Sequence, residues 1–199
     1  MLVTVEGIDG VGKTTQSKIL KDYFAQLYGS ENVLLTREPG GIILNEQIRD
    51  IIIQSNDVDH KAELLFFIAM RRQHFIEVIK PALNQNKIVI CDRFIDSTIA
   101  YQGYGYGLDL SLIESLNLLA TDNIAPNLTI IIYSETISSA VKSSTRVNKY
   151  EKMDISFYER VNEGFASIAE SNPNRCMLIK KQETSDETSA ILINNLKGF

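Results

Sequence analysis

The chain predicts a three-layer α/β fold in which a five-stranded parallel sheet is flanked by helices. Three observations carry this expectation. Five short apolar runs recur along the 199 residues. Each is separated from the next by enough chain for a crossover helix. The first run leads directly into a glycine-rich turn and then a helix-forming stretch.

In chain order, LVTVE at Leu2–Glu6 reads as the first strand, and GIDGVGKTT leads from it into a helix over Thr14–Tyr28. NVLLT at Asn32–Thr36 is the second strand, and the loop TREPGG follows it, with Pro39 stiffening the turn and two glycines allowing close approach. Helices over Asn45–Ser55 and His60–Gln85 precede the third strand, KIVICD at Lys87–Asp92. DSTIAYQGYGYG, Asp96–Gly107, reads as either a pocket-lining segment or a glycine turn before a helix over Leu110–Thr121. LTIIIY at Leu128–Tyr133 is the fourth strand and Thr136–Lys142 a short helix. The polar run KSSTRVNKYEKMD, 142–154, suits a lid; a helix over Ile155–Ser171, a fifth strand over Arg175–Lys180 and a helical tail from Asp186 complete one domain, 1–199.

A hydrophobic content of 44% with 23% charged residues is ordinary for a water-soluble domain, and the net charge of −5 disfavours a general nucleic-acid binder. Cys91 and Cys176 are too few and too far apart for a metal motif or disulfide framework. The opening lacks a basic, apolar leader and no apolar run of about 18 residues occurs later, so a cytoplasmic protein without a membrane partner is expected.

GIDGVGKTT places Gly7, Gly12, Lys13 and Thr14 at the spacing of a phosphate-binding loop between strand and helix. In a P-loop NTPase fold the backbone N–H groups of such a turn, meeting the positive end of a helix, hold nucleotide phosphate. Gly7, Asp9, Gly10, Val11, Gly12, Lys13, Thr14 and Thr15 therefore form the expected ATP-binding run. Lys13 suits the β- and γ-phosphates and Thr14 offers a hydroxyl to Mg2+. Asp92 ends an apolar strand, where a second magnesium-side oxygen belongs.

Arg93 offers a five-donor fork to an acceptor phosphate, or else an ion pair to Asp92 or a helix carboxylate. Arg37, after the second strand, could reach the same phosphate or be structural. Glu63, Phe67, Arg71 and His74 share one helical stripe, which puts an aromatic plane one turn below a guanidinium. That pair suits stacking a base while reading its edge, although periodicity alone favours Phe67 as core and His74 as a helix-surface residue. Arg146 and Lys149, three positions apart, would act as lid cations or as a solvated charge cluster.

TREPGG, AELLFFIAMRR, CDRF followed by STIAYQG, and the late FYERV, in this order over about residues 1–170, resemble the thymidylate kinase family. The resemblance implies transfer of the γ-phosphoryl group of ATP to dTMP, with Mg2+, and a homodimer with a helical interface. It implies that Asp9 lies beside the acceptor sugar, that Arg37 and Arg93 bind the acceptor phosphate, and that Asp92 organises magnesium. Phe67 would stack on thymine, Arg71 reach its edge, Thr98 contact the base, Tyr101 sit near C2′ of the sugar and Gln102 share the pocket. Lys13, Asp92, Arg146 and Asp9 are thereby the expected catalytic set. The family places an arginine either in the phosphate loop or in the lid; Asp9, Gly10 and Val11 supply none, which directs the role to Arg146. Asn148 and Lys149 replace a common Asp-Arg pair, and Ile99 stands where many members carry a polar side chain. The rival readings are another nucleoside or nucleotide kinase, a nucleotide-dependent switch protein, whose Asn-Lys-x-Asp run is missing, and an ATP-driven nucleic-acid motor, disfavoured by charge and size.

Overall fold

The computed structural model describes residues 1–55, 57–142, 150 and 153–196. Five parallel strands, β1 (Leu2–Glu6), β2 (Val33–Arg37), β3 (Ile88–Asp92), β4 (Leu128–Tyr133) and β5 (Cys176–Lys180), form one sheet in the order β2-β3-β1-β4-β5. Strand β1 is buried along its whole length, which is why it reads as an uninterrupted apolar run rather than an alternating one. Because all five strands run the same way, the residues following them gather at one edge. Register fixes this closely: Val5 and Arg37 both lie opposite Asp92.

Helix α1 (Lys13–Tyr28) starts immediately after Gly12, and α2 (Ile43–Gln54) after the TREPGG loop. Helix α3 (His60–His74) is capped by Asp59, whose carboxylate accepts from the N–H groups of Lys61 and Ala62. The expected continuous helix to Gln85 is interrupted by a π turn over Phe75–Ile79 before α4 (Lys80–Asn84). Pro81 lies just beyond this widened turn; it has no N–H for the carbonyl four residues back, and its ring crowds that carbonyl.

The segment read as pocket-lining or as a glycine turn is helical, α5 (Ile95–Thr98) running into a π segment over Ile99–Gly105, and its Thr98, Tyr101 and Gln102 line a cleft. Within the π segment the glycines serve contact, while Gly107, at φ 75°, makes the turn that follows it. A Cβ on Gly105 would lie 2.7 Å from the Phe157 ring, and one on Gly164 would lie 2.7 Å from the Tyr104 ring. Those contacts lock the π segment against α8 (Ile155–Ser171), which follows α6 (Leu110–Ala120) and α7 (Ile137–Lys142). Helix α9 (Ser185–Leu196) closes the described chain. Among the described residues no helix is long and apolar enough to cross a membrane.

Cys91 is fully buried within β3, and its thiol donates to the Arg93 carbonyl at 3.0 Å. Burial pushes that thiol well above its ordinary pKa, and the Glu38 and Asp92 carboxylates add to the effect.

Candidate active site

The GIDGVGKTT run turns back between β1 and α1 with Gly7, Gly10 and Gly12 all at positive φ. At Gly7 the requirement is double, since a Cβ there would meet the Ile132 carbonyl oxygen and the Val11 side chain. Lys13 is buried; its Nζ donates to the Ile8 carbonyl at 2.6 Å and stands 3.9 Å from Asp9 Oδ1. Burial and the nearby charge of Arg93 bring its pKa down to about 8. The Thr14 hydroxyl donates to Asp92 Oδ2 at 2.6 Å, so α1 and the end of β3 bring two hard oxygen ligands together. That donor type suits Mg2+. Gly10 and Val11 line the turn, and Thr15 follows Thr14 into the first turn of α1.

Beside this loop opens a cleft. Asp9, Arg37, Phe67, Arg71, Arg93, Thr98, Tyr101 and Gln102 all lie on its walls, so residues spread over almost a hundred positions are gathered by β2, α3 and the β3–α5 connection. Arg93 adopts left-handed backbone, φ 71°, which is uncommon for a residue with a side chain. Glu6 supports this turn from below, accepting from the Phe94 N–H at 2.7 Å and from the Ser97 hydroxyl at 2.5 Å. The Glu6 carboxyl is pushed up to about 7 by burial and by the neighbouring Asp96.

The Arg93 guanidinium donates to Asp9 Oδ1 at 2.7 Å, to Ser97 Oγ at 3.0 Å and to the Tyr101 hydroxyl at 3.2 Å. Its carboxylate partner is thus Asp9, across the cleft mouth, and not the adjacent Asp92. Burial opposes the charge of Asp9, but Arg93 and Lys13 overcome this and hold its carboxyl down at about 2. Arg37 forms a two-bond ion pair with Glu46 of α2, at 2.7 and 2.6 Å. Gln102 donates to Glu63 at 2.9 Å and to the Tyr150 hydroxyl at 3.2 Å.

Residues 5–191 match the family model described as thymidylate kinase. The chain belongs to the thymidylate kinase family. It is 52% identical over 200 aligned positions to a protein named thymidylate kinase from Ehrlichia ruminantium (strain Gardel), covering 99% of this chain and 98% of that protein. It is 49% identical over 187 positions to the thymidylate kinase of Wolbachia pipientis wMel, covering 94% of each. A crystal structure of thymidylate kinase from Ehrlichia chaffeensis superposes with a TM-score of 0.85 at 48% identity, covering 98% of both chains.

Within this thymidylate kinase frame several residues differ from their sequence reading. His74, expected on a helix surface, is fully buried between Thr36 and Glu38, because α3 turns the Glu63–Arg71–His74 stripe inward. Phe67, expected by periodicity as core, lines the cleft while Leu64 and Ile68 fill the interior. Glu38 and Asn45 also line the cleft without a sequence signal of their own, and they are joined there by Ser97, from the run read as pocket-lining, and by Tyr150, from the run read as a lid. Buried Asn45 turns its amide N–H to the Met70 carbonyl at 2.7 Å, leaving Oδ1 without a partner among the described residues. Tyr150 donates to Glu63 Oε1 at 2.5 Å. A Glu at a core-facing position of α3 was the available signal for Glu63 and Tyr150. Arg146 and Lys149 lie outside the described residues.

Proposed function

We propose that this chain phosphorylates dTMP to dTDP using ATP and Mg2+, in the supply of dTTP, as its family membership implies. The observation that carries the reading is a phosphate loop opening onto a cleft lined by two strand-end guanidiniums, Arg37 and Arg93, and by Phe67 beside Arg71. Two guanidinium charges beside the phosphate loop favour an acceptor that already bears phosphate over a free nucleoside.

The loop N–H groups of Gly10–Thr15 and the Lys13 ammonium bind the donor phosphates, and Lys13 stabilises charge on the transferring oxygens. Thr14 and Asp92 would hold Mg2+, which when bound neutralises charge on the β- and γ-phosphate oxygens. Arg93 and Arg37 orient the acceptor phosphate, whose oxygen forms the new bond to the γ-phosphorus as the bond to the ADP oxygen breaks. That oxygen is largely ionised near neutral pH, so no strong general base is required. Asp9, with its carboxyl held at about 2, is a hydrogen-bond acceptor near the sugar and not a proton carrier. Tyr101 closes the sugar site, Phe67 stacks on the base, and Thr98, Arg71 and Gln102 read its edge. Arg146 in the lid over 142–154 serves as the cation at the transferring phosphate. We further assign a single kinase domain, a cytoplasmic location and a homodimer, with no nucleic-acid or membrane partner.

The test is phosphoryl transfer from ATP with Mg2+ across dTMP, dUMP, dCMP and thymidine, with a no-acceptor control. Preference for dTMP supports the assignment. Transfer chiefly to another acceptor overturns the base specificity, and acceptor-independent hydrolysis overturns the kinase reading.

A further inference from the structure

We propose that Glu38 and His74 are positioning residues for base recognition: a buried relay from Thr36 through His74 and Glu38 fixes the Arg71 guanidinium so that a single N–H is left for the cleft. This inference rests on the dTMP reading of the cleft and names what enforces it.

Arg71 is 4% exposed and reaches the cleft wall from α3. Its Nε donates to Glu38 Oε2 at 2.8 Å, Nη1 to Thr98 Oγ1 at 2.9 Å and Asn117 Oδ1 at 2.6 Å, and Nη2 to the Phe94 carbonyl at 2.9 Å. An arginine carries five N–H groups, and these described partners engage four. These partners leave one Nη2 N–H, and not a fork, for a ligand. One fixed donor matches a ring carbonyl oxygen, whereas an exocyclic amino group in its place would set donor against donor and leave both unpaired.

The orientation of Arg71 depends on the Glu38 carboxylate beside it on the cleft wall. Glu38 is buried, and its second oxygen, Oε1, lies 3.0 Å from His74 Nδ1. His74 Nε2 lies 2.7 Å from Thr36 Oγ1 on β2. One tautomer satisfies the whole line: Nδ1–H donates to Glu38, and Nε2 accepts from the Thr36 hydroxyl. Burial opposes ionisation of Glu38, but Arg71 and His74 outweigh it and hold the carboxyl below its ordinary range. His74 is absent from the cleft wall, so it acts only through Glu38 and Arg71. Glu38, His74 and Cys91 also place three ligand-type atoms within 4.8 Å of one another. Both Glu38 oxygens are already taken, and the Arg71 charge stands against one of them, which favours the relay over a cation site.

The test compares wild type, E38Q, T36V and T36S, measuring kcat and KM for dTMP, dCMP and ATP together with the denaturation midpoint. E38Q and T36V are expected to raise KM for dTMP by about five- to tenfold, the scale of one buried hydrogen bond. They should narrow the dTMP-to-dCMP ratio of kcat/KM while KM for ATP stays within about twofold, and T36S should restore wild-type selectivity. T36V is nearly isosteric and lies outside the cleft, so it decides the matter if E38Q fails to fold. Lower midpoints with an unchanged acceptor ratio reduce the relay to scaffolding and overturn the proposal. A wild type that does not phosphorylate dTMP overturns the functional reading beneath it, whereas an active wild type with unmoved variant selectivity overturns the relay alone.

Discussion

Lys13 keeps its ammonium against the Ile8 carbonyl, and burial with the neighbouring Arg93 places its pKa near 8. Its charge is present below that pH and lost above it, so kcat/KM for ATP, which reports the free enzyme, should fall as pH rises through about 8. Bound phosphates stabilise the ammonium, and kcat at saturating ATP should hold to higher pH; identical profiles would remove Lys13 as the cause. K13A should lower kcat by roughly a hundredfold or more. Tyr101→Leu should narrow the preference for dTMP over its 2′-hydroxyl analogue, and an unchanged ratio of kcat/KM would exclude Tyr101 from the sugar site. Arg37 and Arg93 were legible because each follows an apolar strand, and Arg71 because it lies on one helical stripe, whereas Glu38, Asn45 and Tyr150 share the cleft wall without such a signal. The partners of Arg71 were not legible. Glu38 meets Arg71 across 33 positions and Asn117 meets it across 46, distances over which spacing carries no signal.

The strands were legible as elements because a parallel strand covered on both faces must be apolar throughout, as β1 is. The π segment over Ile99–Gly105 was not, since Gly103 and Gly105 resemble turn formers until Leu110 of α6 is packed against the first and Phe157 of α8 against the second. The same contacts make a prediction at this scale. Gly164→Ala would press a methyl group into the Tyr104 ring and should destabilise the fold by about 1–3 kcal/mol, the usual cost of overpacking. Denaturant unfolding measures it directly, and an unchanged midpoint would mean that α8 and the π segment yield to each other freely. The break at Phe75–Ile79 shows a different limit: apolar periodicity continues through Pro81, while the backbone must widen to accommodate it.

For the molecule as a whole, Glu6 supplies a pH-dependent share of stability. Its folded-state pKa of about 7 lies above the ordinary 4.5, so the native state retains a proton that the unfolded chain releases. This contribution is complete below about 4.5 and lost as pH rises through 7. The stability difference between wild type and E6Q should therefore fall across that interval; a flat difference would show that Glu6 does not titrate there. Assembly is tested separately. Leu65 and Phe66 on α3 and Leu112 and Leu119 on α6 are exposed apolar side chains on two helices that pack together. If the proposed homodimer forms through this face, Leu119→Glu should shift sedimentation from dimer to monomer with the fold retained; an unshifted dimer would place the interface elsewhere, and a monomeric wild type would remove the homodimer. Cys91, enclosed in the middle of the sheet, also equips the protein with a natural clock. A thiol-modifying reagent can reach it only when the central strands part, so its rate of modification times spontaneous opening without any introduced label, and a bound nucleotide should slow that clock in proportion to its occupancy.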